Sequence, residues 1–135
     1  MNVSRNIRDM HLKYGVHDWV NANKDKRGEL LKLRLRMLNE EHTETMNAYL
    51  QGDAEEVVDG LIDLIVIAAG TLDIFGVDAD KAWDEVHRAN MSKQVGVKPG
   101  RPNPLGLPDL LKPSGWTAPD HENNLGTLPE VINGN

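Results

Sequence analysis

Apolar positions along this chain recur every three to four residues over long stretches, the period of an α-helix that buries one side. Residues 4 to 14 place Ile7, Met10 and Tyr14 at that spacing, and Gly15 then stops the run. Val16 to Arg27 is polar and irregular and reads as a connector, pinned to the body by Trp19. From Gly28 to Leu50 the period returns, with Leu30, Leu31, Leu35, Leu38, Met46, Tyr49 and Leu50 near one side and Arg34, Arg36 and several acids elsewhere. Gln51-Gly52-Asp53 reads as a reversal, with Asp53 placed to cap the next helix. That helix, from Ala54 to Gly76, is apolar on nearly every side and predicts a buried central element, with a subunit interface as one way to cover it. A further helix is expected from Ala79 to Asn90, capped by Asp78, with Ala82, Trp83, Val86 and Ala89 facing inward.

After Lys93 the character changes. All seven prolines fall beyond residue 95, and helical periodicity is lost apart from a possible turn at Leu107 to Leu111. Leu105, Leu107, Leu110, Leu111 and Trp116 give this tail an apolar side, to lie on its own body or on a neighbouring subunit. The expected organisation is a helical body over residues 1–94 and an extended tail over 95–135. The fold class expected is all-α and four-helix-bundle-like. A pair of helices from one chain cannot cover so apolar a central helix, whereas two pairs can. A homodimer or homotetramer follows.

Composition narrows the chemistry. A net charge of -6 over 135 residues argues against coating nucleic acid. With no cysteine, thiolate metal sites, disulfides and cysteine nucleophiles are excluded. The N-terminus lacks the apolar core of a signal peptide, and the run from Leu64 to Gly70 is too short to span a bilayer. A cytoplasmic protein without membrane partners is expected.

The acids carry the clearest chemical signal. Glu41 and Glu44 lie about 60° apart on a helix, and Glu56, Asp59 and Asp63 share a stripe. Folding the chain back at Gly52 sets Glu41 and Glu44 opposite Glu56, Asp59 and Asp63. Crowded carboxylates repel and take up protons unless a cation lies among them. Hard divalent ions with oxygen ligands, Mg²⁺ or Mn²⁺, suit that donor set. His42 and His87 read as structural rather than ligating, and Trp19 and Trp83 as core. No phosphate-binding glycine loop or Ser-His-Asp arrangement is present.

Glu40-Glu41-His42-Thr43-Glu44 followed by Glu56-Val57-Val58-Asp59 resembles the EExxE…ExxD signature of the MazG-like all-α NTP pyrophosphohydrolases. The block from Glu85 to Lys93, with Asn90-Met91-Ser92-Lys93, is similar to that of the phosphoribosyl-ATP-pyrophosphohydrolase-like, often phage-encoded, branch, as is Lys112 to Asp120. One position departs. Many members read D-E-x-x-D where this chain has Asp59-Gly60-Leu61-Ile62-Asp63, which leaves either Glu56 with Asp59 or Asp59 with Asp63 as the second ligand pair.

The resemblance implies hydrolysis of a nucleoside triphosphate to a monophosphate and pyrophosphate. It implies metal ligation by Glu41, Glu44, Glu56 and Asp59, with Asp63 in support, and orientation or deprotonation of water by Glu40. Asn90 and Lys93 would hold phosphate or sugar, with Arg88 and Lys112 adding phosphate contacts. Among such enzymes dGTP and GTP are the favoured substrates here and phosphoribosyl-ATP the alternative. A phage enzyme would work in the host cytoplasm. A helical interaction module without turnover is the rival from another class, encouraged only by Gly60.

Overall fold

The computed structural model describes residues 1–134 as six α-helices and one short strand pair. Helix α1 (Val3–Lys13) starts where the Asn2 side chain accepts a 3.0 Å hydrogen bond from the Arg5 amide. It ends at Gly15, whose φ of +68° suits a residue without a Cβ. The stretch expected as an irregular connector is mostly helical. Helix α2 (Val16–Ala22) and a 3₁₀ turn (Lys24–Lys26) lead into α3 (Arg27–Leu50). At seven residues, α2 is too short for a full period to show, and its polar side hides the two positions that matter, Val16 and Val20.

A two-residue reversal at Gln51 and Gly52 joins α3 to α4 (Ala54–Ile74), with Gly52 at φ +72°. The Asp53 carboxylate caps α4 by accepting from the Glu56 amide at 3.1 Å, as its place in the sequence predicts. Helices α3 and α4 form the main antiparallel pair, and α1 lies along α4. The core gathers at one end of this pair, where Val20, Ile74 and Phe75 are buried against Val16, Leu30, Leu31, Leu128 and Val131. The last two belong to α6 (Leu128–Asn133), a helix the sequence reading misses. Thr127 donates from its amide to the Phe75 carbonyl at 2.8 Å. Gly126 lies against the same carbonyl where no Cβ would fit. This holds the chain end on the core.

The chain divides into two compact units: residues 1–79 with the C-terminal stretch from Leu125, and residues 80–124. In the second unit, α5 (Ala79–Met91) carries the packing. Strands β1 (Gln94–Val95) and β2 (Leu110–Leu111) pair antiparallel, so Leu110 and Leu111 form a strand rather than the helical turn expected there. Trp116 docks its indole N–H on the Ala89 carbonyl at 2.8 Å, so this part of the tail packs on α5 of its own chain.

Several inward assignments are corrected. Ile7 is buried on α1, but its helical neighbour at that spacing is His11, while Met10 and Tyr14 are 39% and 69% exposed. Trp19 and Trp83 are 46% and 71% exposed and are not core residues; Ala89 is the buried position of α5. Helix α4 is not covered on all sides within one chain: Val58, Leu61, Ile62 and Ile65 stand open. No single helix among the described residues is long and apolar enough to cross a membrane.

Candidate active site

Polar residues are set among the apolar ones along the seam between α3 and α4, and the register of the pair decides which acids come near each other. Nearest the reversal, Thr45 packs on Gly60, so closely that a Cβ at Gly60 would overlap the Thr45 hydroxyl. That hydroxyl donates back to the Glu41 carbonyl at 2.8 Å. One turn on, Glu41 comes near Asp63 of α4. Two turns beyond, Arg34 crosses from α3 to α4, giving hydrogen bonds to the Thr71 hydroxyl at 3.1 Å and the Ile67 carbonyl at 2.9 Å. Gly70 leaves room for this guanidinium, since a Cβ there would lie 2.6 Å from it. Partial burial pulls the Arg34 pKa down, and the carbonyl and hydroxyl acceptors compensate its lost water.

Around Glu41, the charges of Glu44, Asp59 and Asp63 lie near enough to act on it. Its pKa is pushed above the ordinary glutamate value, first by lost hydration, then by the charges of Glu44, Asp63 and Asp59. The structure therefore brings Glu41, Glu44, Asp59 and Asp63 into one electrostatic group. Glu41 and Asp63 are half-buried on the seam, and Glu44 and Asp59 are exposed beside them. Glu40 and Glu56 lie exposed on the same two helices. Asp63, expected only in support, is among the acids whose charges act on Glu41. The donor set is all carboxylate oxygen on two rigid helices, which fits a hard divalent cation such as Mg²⁺ or Mn²⁺ and offers borderline metals no nitrogen or sulfur.

The second unit gathers most of the remaining sequence-derived positions around Trp116. The Lys112 and Lys93 ammonium groups lie 4.9 Å and 5.7 Å from the centre of its ring. Lys93 also donates to the Asn90 side-chain oxygen at 3.3 Å. Arg88 is held by Glu85 at 3.0 Å, the Thr117 hydroxyl at 3.1 Å and the Ala118 carbonyl at 3.2 Å, so it fastens residues 117–118 to α5. Glu85 accepts from Arg88 and from the Asp120 amide, which together hold its carboxyl below the usual glutamate range.

A second polar cluster went unnoticed in the sequence. His11 Nδ1 and His17 Nε2 each lie 2.7 Å from the same oxygen of Asp73, and Arg8 approaches the other oxygen at 3.2 Å. Burial raises the Asp73 pKa, but the hydrogen bonds from His11 and His17 and the charges of His17 and Arg8 outweigh it and hold the carboxyl below its ordinary value. A lone carboxylate in the apolar run of α4 was the available signal, because such a group must find partners. His42 and His87 are exposed.

The family model of phosphoribosyl-ATP pyrophosphohydrolase matches residues 19–90, just over half of the chain. The chain belongs to that family, and through it to the MazG-like NTP pyrophosphohydrolase superfamily. A comparison with curated proteins finds no match.

Proposed function

We propose that this chain is a divalent-metal-dependent pyrophosphohydrolase that converts a nucleoside triphosphate, dGTP or GTP first among them, into the monophosphate and pyrophosphate. The observation that carries this reading is the family match over residues 19–90, which spans Glu41 and Glu44 on α3 and Glu56, Asp59 and Asp63 on the antiparallel α4. Acids whose charges work against one another on two packed helices are costly without a cation and useful with one.

Glu41, Glu44, Glu56 and Asp59 are the proposed ligands, with Asp63 beside Glu41. Bound Mg²⁺ or Mn²⁺ would supply charge neutralisation for the phosphate oxygens and lower the pKa of a bound water. Glu40 is the proposed base that orients or deprotonates the attacking water. The water oxygen bonds to phosphorus as the bridging anhydride bond breaks, and pyrophosphate leaves. Asn90, Lys93, Arg88 and Lys112 are the proposed phosphate or sugar contacts, on the strength of the motif they belong to. Gly60 no longer favours an inactive module, because its missing side chain makes room for Thr45.

Phosphoribosyl-ATP is the second substrate reading, favoured by the family match over residues 19–90. Homo-oligomerisation is supported by the open row of Val58, Leu61, Ile62 and Ile65 along α4.

Pyrophosphate release from a panel of NTPs, dNTPs and phosphoribosyl-ATP with Mg²⁺ or Mn²⁺ tests the reading. Turnover of at least one of them is expected, and Glu44→Gln should abolish it with circular dichroism and oligomer size unchanged. No release from any substrate, or full activity in that variant, would overturn the assignment.

A further inference from the structure

His11, His17 and Asp73 stand apart from the acidic seam and come from three helices, α1, α2 and α4. Their ligand-capable atoms all lie within 4.8 Å of one another, and the two imidazole nitrogens aim at a single carboxylate oxygen. His11 and Asp73 are buried, at 4% and 8% exposure, whereas the His17 side chain is 29% exposed and leaves a way in. Arg8 holds the second Asp73 oxygen at 3.2 Å, the kind of outer partner that orients a ligating carboxylate. From this geometry we infer that His11, His17 and Asp73 form a zinc site that fastens α1 and α2 to the C-terminal end of α4.

The donor chemistry separates this site from the seam. Two imidazoles and one carboxylate suit Zn²⁺, which takes nitrogen and oxygen ligands in a tetrahedron, rather than Mg²⁺, which demands six oxygens. Ligand atoms about 2.0–2.2 Å from a tetrahedral Zn²⁺ lie about 3.4 Å apart. The two nitrogen–oxygen distances of 2.7 Å must therefore open by roughly 0.7 Å. A small turn of the partly exposed His17 ring and of the Asp73 carboxylate provides that. Three protein ligands leave the fourth position to water, on the exposed side of His17. Zinc would replace the hydrogen bonds from His11 and His17 to Asp73, so binding releases whatever protons those ring nitrogens were sharing with the carboxylate. The site lies beside Ile74 and Phe75, so its occupancy couples to the core that α2 and α6 complete.

Zinc titration of the full chain by calorimetry, in excess Mg²⁺ to saturate the seam, reads the site directly. One Zn²⁺ per chain is expected, unchanged in Glu44→Gln and weakened about 100-fold or more in His17→Gln. A rise in the thermal midpoint should accompany binding in the wild type and vanish in His17→Gln. Should His17→Gln fail to fold, imidazole NMR of the wild type decides: zinc should move the ring signals of His11 and His17 and leave those of His42, His87 and His121 in place. Absence of Zn²⁺ binding, equal binding by His17→Gln, or shifts confined to the other histidines would show that the cluster is a hydrogen-bonded tie alone. Because Mg²⁺-dependent turnover is not the readout, failure here leaves the pyrophosphohydrolase reading standing.

Discussion

Gly60 of α4 rests against Thr45 of α3 where a Cβ would collide with the threonine hydroxyl. This contact sets how closely the two acid-bearing helices approach, and Glu41 precedes Thr45 by one turn on the same side of α3. Gly60→Ala should therefore lower stability by about 1–3 kcal/mol, although alanine is the better helix former. Thr45→Ala removes the obstructing oxygen and should restore most of the loss in the double variant. Thermal or urea unfolding of the four proteins in a mutant cycle measures it. Additive effects would mean that the two residues do not limit the approach.

Glu41 lies near Glu44, Asp59 and Asp63, and lost hydration together with their charges raises its pKa above the ordinary glutamate value. Removing its charge relieves repulsion in the metal-free chain and removes a proposed ligand from the metal-bound one. Glu41→Gln should raise the thermal midpoint in chelator and abolish the rise that Mg²⁺ or Mn²⁺ gives the wild type. The readout is a pair of melting curves for each protein, with and without metal. A variant less stable in chelator would show that the acids are not in conflict.

How much of this could be read from residues alone differs by element. Helices α3 and α4 were legible because each is long enough to repeat its period, and because Asp53 and Gly52 mark the turn between them. Their register followed from counting outward from Gly52, which is why Glu41 and Asp63, each eleven positions away, come near each other. Helix α2 and helix α6 were not legible, since seven and six residues give no repeat to detect. For α6, Pro129 near its start and Gly134 at its end were signals of limits without a period between them. Arg34 falls off the apolar side of α3 in the sequence pattern, which cannot show that Gly70 opens a slot for it. The Asp73 cluster depends on residues some sixty positions apart, and no local pattern encodes that.

Glu85 accepts from Arg88 and from the Asp120 amide and holds the tail on α5. Its folded pKa lies below the unfolded value, so the unfolded chain binds more protons and stability falls as the solution is acidified. The contribution is fully present above the ordinary glutamate range and is lost as pH drops through the folded pKa. Hydrogen exchange at the Asp120 amide should therefore be slow, relative to Glu85→Gln, at neutral pH, and the two proteins should converge at strongly acid pH. Equal protection of that amide in both proteins at neutral pH would refute the tether.

Val58, Leu61, Ile62 and Ile65 recur at i, i+3, i+4 and i+7 on α4 and are 44–63% exposed in a single chain. Four large aliphatic side chains in one row are more than a soluble surface keeps without a use. A second copy would bury the same row against itself about a two-fold axis and complete a four-helix bundle from two helical pairs. The wild type should then elute as a dimer or tetramer in light-scattering chromatography. Leu61→Glu should yield a folded monomer, because a charge at the centre of the row cannot be desolvated. A wild type that is already monomeric at micromolar concentration, or a Leu61→Glu variant of unchanged mass, would place the subunit contact elsewhere or remove it.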